Sequence, residues 1–138
     1  MSSAMMTRVR DRLPAGGIRI VLPIDLRPLL GGWVNYNEHS TGIDRVYVND
    51  WEGTPVVRVF GAHRPAPIDW GEVAGAAFAD GVGGVEAVGF TARYDLDFAQ
   101  VLLAAYLNKR LLVVDAYTTF TDGSGRAGYF QRDHFYLP

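Results

Sequence analysis

The stretch His63-Arg64-Pro65-Ala66-Pro67-Ile68-Asp69-Trp70-Gly71-Glu72 gathers an imidazole, a guanidinium and two carboxylates around two prolines. An imidazole titrates near neutrality, and beside carboxylates it can move protons. Prolines stiffen a loop and reduce the entropy lost on holding side chains in place. One reading makes His63 and Glu72 an acid–base pair. The other is a rigid hairpin connection with exposed charges.

Alternation supplies a second set. Thr91, Arg93 and Asp95 share one face of a strand-like run, opposite Phe90, Ala92, Tyr94 and Leu96. Asp115, Tyr117 and Thr119 share a face opposite Val114, Ala116, Thr118 and Phe120. Facing inward, Arg93, Asp95, Asp115 and Tyr117 would line a cavity, and an Arg–Asp pair would grip a polar or anionic ligand. Facing outward, they are solvated cross-strand pairs. The third set is Gly31-Gly32-Trp33-Val34-Asn35-Tyr36-Asn37. In a strand, Trp33 and Asn35 point the same way. An amide in an apolar interior costs about 1–3 kcal/mol unless it finds a partner. Asn35 therefore meets a protein group, a water or a ligand.

Two other groups of residues carry weaker signals. Thr121-Asp122-Gly123-Ser124-Gly125-Arg126 has glycines but no Walker lysine and no following helix, so it reads as a hairpin turn. His39, His63 and His134 lack metal-site spacing, and cysteine is absent, so no metal, thiolate site or disulfide is expected.

The elements that must position these groups read as strands. After Ile18–Leu30, broken by Pro23 and Pro28, the runs are 33–37, 42–49, 55–62, 69–79, 85–96, 98–107, 111–121 and 129–137. They are short, rich in Val, Tyr, Phe and Thr, and separated by turn residues. The run 69–79 is alanine-rich enough to support a helix, and 99–109 also suits one by propensity. Tight turns on both sides make the latter a strand. Eight successive strands with short connections predict an up-and-down meander, whose edges closure would remove. An eight-stranded barrel has room for side chains or one small ligand.

The chain has 138 residues, 49% hydrophobic and 20% charged, with a net charge of −2. This fits one globular domain and gives no bulk reason to bind nucleic acid or an anionic membrane. No apolar run reaches the roughly 18 residues of a membrane helix. Residues 1–17 read as a flexible leader without a secretory h-region, residues 18–138 as one domain, and the location as cytoplasmic.

At Gly31-Gly32-Trp33 the chain resembles the calycin barrels: the lipocalins, avidins and fatty-acid-binding proteins. Their first strand opens on Gly-x-Trp, and that Trp closes one end of the barrel. The avidin branch adds an Asn two residues later, where Asn35 stands. His134-Phe135 and Thr91-Ala92-Arg93-Tyr94-Asp95 are similar to later strands of that group. Arg126 or Arg132 would correspond to the last-strand Arg that packs across the Trp in lipocalin-like barrels. Ser40 or Thr41 stands in for the avidin hydroxyl at a different spacing. Trp51 and Trp70 fall near early turns, away from the avidin biotin walls. The resemblance implies a fold and a ligand-in-barrel habit rather than biotin.

These readings predict an all-β, single eight-stranded antiparallel barrel holding a small hydrophobic or amphipathic molecule in its central cavity. The candidate contacts are Trp33, Asn35, Tyr47, Arg93, Tyr106 and Tyr117. One rival is a cofactor-free cyclase or isomerase using Asp95, Asp115, His63 and Glu72. Another is a structural or interaction module whose barrel is filled by its own side chains. Val101, Leu103, Ala105 and Leu107 oppose Leu102, Ala104 and Tyr106, and apolar residues on both faces predict a homo-oligomer.

Overall fold

A computed structural model describes residues 23–63 and 65–138. The expected leader over 1–17, residues 18–22 of the first apolar stretch, and Arg64 lie outside the described residues.

The described chain is all-β and antiparallel. A single 3₁₀ turn, Arg27–Leu29, precedes nine strands. These are β1 (Gly31–Asn35), β2 (Ile43–Trp51), β3 (Thr54–Gly61), β4 (Ile68–Ala74), β5 (Ala76–Ala79), β6 (Ala87–Asp95), β7 (Ala99–Asn108), β8 (Leu111–Phe120) and β9 (Tyr129–Tyr136). They form one sheet in the order β4-β3-β2-β1-β9-β8-β7-β6-β5. The alternation Val46–Val48, Val57–Val59 and Val101–Leu103–Ala105 gives each strand one buried face, as period-2 geometry requires. The ambiguous run 99–109 is strand β7, paired along its length with β6 and β8.

The described ladder differs from the expected eight-stranded closed barrel in two respects. There are nine strands, and among the described residues the ladder is open, with β4 at one end and β5 at the other. The fourth run, which bordered on helical by composition, is extended but breaks at Gly75. Before the break β4 pairs with β3; after it β5 pairs with β6. The Gly75 N–H donates to Pro55 O at 2.8 Å. A Cβ there would sit 2.7 Å from Thr91 O on β6, so only glycine lets the backbones approach this closely.

The sheet curls so that its inner face forms one core. Trp33, Val46, Val48, Val57, Val59, Phe90, Tyr94, Leu103, Leu112, Val114 and Phe135 all belong to it, and each is at most 2% exposed. Tyr94 ties the two ends of the ladder together. Its hydroxyl lies 3.0 Å from Val57 O on β3 and 2.8 Å from Gly71 O on β4, and its ring meets Trp70 edge-on at 5.5 Å.

One end of this core is covered by the segment before β1. Asp25 pairs with Glu86, its N–H donating to Val85 O, while the Ala87 N–H donates back to Asp25 O. The 3₁₀ turn then places Leu26 and Leu29 in the core. The Arg27 guanidinium beside Asp25 holds that carboxyl down to about 2.

Candidate functional site

Trp33 and Asn35 do point inward together, as the spacing required. The Trp33 Nε1–H donates to Leu29 O at 2.9 Å, so the indole both fills the core and caps the 3₁₀ turn. Asn35 is 5% exposed, and its amide is engaged at both ends. Nδ2 donates to Ile43 O at 2.8 Å, and Oδ1 accepts the Asn37 N–H at 2.8 Å. The partner that a buried amide demands is therefore the β1–β2 connection itself.

The other four expected ligand contacts stand on the outer face. Tyr47 lies over Gly32, where a Cβ would come 2.8 Å from its ring, and meets Phe60 edge-on. Arg93, Tyr106 and Tyr117 are exposed. The open question about Arg93, Asp95, Asp115 and Tyr117 is thereby answered: all four face outward, because Ala92, Tyr94, Val114 and Ala116 take the inner positions. The inward cavity built from them is not what the structure places there. Asp115 instead receives both arms of the Arg132 fork, Nε at 2.6 Å and Nη2 at 2.9 Å. This bidentate bond leaves Asp115 8% exposed and pushes the Arg132 guanidinium pKa further up.

The resemblance-based role for a last-strand arginine across Trp33 is also corrected. Arg132 is held outward by Asp115, and Arg126 lies 3.8 Å over the Phe120 ring. Ser124, through its side chain and its backbone N–H, and then Arg126 hold the Asp122 carboxyl down to about 2 in the hairpin turn.

The four acid–base candidates stay apart. His63 is in the β3–β4 connection, Glu72 on β4, Asp95 at the end of β6 and Asp115 in the middle of β8. No hydrogen bond or ion pair joins His63 to Glu72 among the described residues. Asp69 pairs with Arg58, which holds the Asp69 carboxyl below its usual range.

Two clefts lie near these groups. One, about 420 Å³, is lined by Glu38, His39 and Asp44 from the β1–β2 side and by His63, Pro65 and Pro67 from the other. The second, about 210 Å³, lies at the β1–β9 seam, where Tyr36, Asn37 and Leu111 meet Arg132, Asp133 and His134. Closure of the expected meander implied that the first and last runs pair, as β1 and β9 do, but sequence reasoning singled out Asn35 and His134 separately and did not place a cleft between them. Its signal is the β1–β9 pairing, Val34 with Tyr136 and Asn35 with Phe135, which no local pattern reveals. Among the described residues no helix is long and apolar enough to cross a membrane, and no His, Asp and Glu cluster has metal-binding geometry.

Comparison with known proteins finds no matching family model, no matching curated protein and no matching solved structure.

Proposed function

We propose that the chain is a recognition module: a filled, calycin-like β-barrel that meets its partner on its outer surface and carries out no chemistry. In this reading Ile68–Ala79 is one strand bent at Gly75 that serves both ends of the ladder. Counted so, eight strands enclose the core, in the manner of the lipocalin and avidin barrels.

The observation that carries the proposal is the state of the inner face. Its aromatic and aliphatic side chains from seven strands are in mutual contact, and the interior polar groups of Asn35 and Tyr94 are engaged by the protein's own carbonyls and amides. A ligand there, whether an apolar guest or the substrate of a cyclase or isomerase, would have to displace them. The outer face offers what the inner face does not. Cross-strand register sets Arg93, Leu102, Tyr117 and Phe130 in one row across β6, β7, β8 and β9. Tyr117 and Phe130 meet at a tilt, their centroids 5.1 Å apart, yet stay 47% and 50% exposed. Exposed aromatics beside arginine have the composition of an interface centre.

The partner we assign to this row is a second copy of the chain. Arg93, Asp95, Asp115 and Arg132 balance in charge across the face, so two copies can approach without like-charge repulsion. The full-length protein should sediment as a dimer. Tyr117→Arg, which places two new like charges in the contact, should shift it to monomer with the melting temperature of the monomer unchanged. A wild-type protein that stays monomeric at high concentration would contradict the assignment of a second copy.

A further inference from the structure

Beyond the face just described, we infer that the cleft at the β1–β9 seam is a binding site for a single neutral sugar ring. The seam continues past the last pair of β1. The Tyr36 N–H donates to His134 O at 2.8 Å, which brings the β1–β2 connection alongside β9. This fixes a cleft of about 210 Å³. Drug-sized sites run to roughly 300–1,000 Å³, so about one ring is the largest occupant that fits.

Three features set the chemistry of that occupant. The first is an open aromatic surface. Tyr36 is 74% exposed, and its ring is braced edge-on by Tyr136 at 6.0 Å. A solvent-facing ring held in place stacks against the C–H face of a pyranose and loses little conformational freedom in doing so. The second is charge. Arg132 is already answered by Asp115, so it offers no free cation to an anionic ligand. Asp133 beside it disfavours an anion further. A ligand without negative charge is what remains, and the donors described next favour a neutral one over a cation, which has no acceptor to offer them. The third is the mixture of donors and acceptors. Asn37 Oδ1 is held by the His39 N–H at 3.0 Å, so its NH₂ is aimed by a fixed amide. Asp133 supplies acceptor oxygens, one lying 3.5 Å from Ser40 Oγ, and the rest of the Arg132 fork supplies donors. Hydroxyl groups both donate and accept, and they suit such a set better than a purely donating or accepting ligand does.

The larger cleft beside His39 and His63 has polar groups and imidazoles but no Tyr, Phe or Trp ring among its lining residues. The seam combines both, which is why it is the one assigned.

The test is a titration of the full-length, isotope-labelled protein with galactose, glucose, mannose and N-acetylglucosamine, and with their methyl glycosides, followed by NMR. The expected result is saturable shifts at the amides of Tyr36, Asn37 and His134 for at least one sugar, with a dissociation constant on the order of 1 mM. Tyr36→Ala and Asn37→Ala should each weaken it tenfold or more while lowering the melting temperature by a few degrees at most, the cost of one exposed ring contact or turn hydrogen bond. Equal binding of the methyl glycoside assigns the end of a glycan as the ligand; binding of the free sugar alone assigns a monosaccharide. No saturable shift with any of these sugars, or binding that Tyr36→Ala leaves intact, overturns the inference. Arg132 borders both the outer row and the cleft, so the titration is repeated on Tyr117→Arg: sugar binding that persists in that variant stands independently of dimerisation.

Discussion

Tyr94 shows how much one residue decides. Its ring fills the core, and its hydroxyl reaches the carbonyls of Val57 and Gly71 on the opposite end of the ladder. Burial pushes the phenol well above its ordinary pKa. In the unfolded chain the phenol ionises near pH 10. The folded state therefore keeps the proton longer, and the stability it confers is complete below pH 10 and lost as pH rises above it. The slope reaches about 1.4 kcal/mol per pH unit for one proton. Tyr94→Phe should cost about 1 kcal/mol at neutral pH and should flatten the loss above pH 10. Urea unfolding of both proteins at neutral and alkaline pH measures this; parallel alkaline slopes would refute it. Asn35 teaches the complementary lesson. The sequence showed that a buried amide must be paired, and it is. What pairs it, the Ile43 carbonyl and the Asn37 amide, depends on the path of the β1–β2 connection, which residue types do not specify.

Among the elements, the bent pair β4–β5 is where sequence and structure part most. Alternation placed 69–79 in one run, and its alanines left helix open. Gly75 lies inside that run without proline or a polar cluster to mark a break. Its role comes from the approach of β3 and β6 to the same backbone position, which is a property of the assembled sheet. Gly75→Val should therefore be costly: a Cβ 2.7 Å from Thr91 O cannot be accommodated without separating strands. The expected loss is about 2–3 kcal/mol in chemical denaturation, at the upper end of overpacking effects. A loss under about 0.5 kcal/mol, the level of an ordinary surface substitution, would show that the strands are not held together there. By contrast β7 was legible despite its helical propensity, because Asn108 to Leu111 makes a turn too tight for anything but a hairpin.

For the whole molecule, the all-β class was legible because it rests on local facts: strand-forming residues, period 2 and frequent turns. Inward and outward were not legible wherever both faces are apolar. Leu102 and Leu103 are alike as residue types, and so are Ala104 and Ala105, yet only the second of each pair is buried. Only the collective curl of the sheet decides which line the core. This is why Arg93, Asp95, Asp115 and Tyr117 had two readings, and why the pairing of β1 with β9 followed from closure of the meander while the cleft at their seam carried no local mark. The central claim is that the interior is the protein's own core and that recognition happens outside it. The most direct measurement is uptake of an anilinonaphthalene dye and of a long-chain fatty acid by the folded protein, read by fluorescence and by thermal unfolding. The packed inner face predicts no saturable uptake and no rise in melting temperature. One equivalent bound inside, with a melting temperature that climbs with ligand concentration, would contradict it.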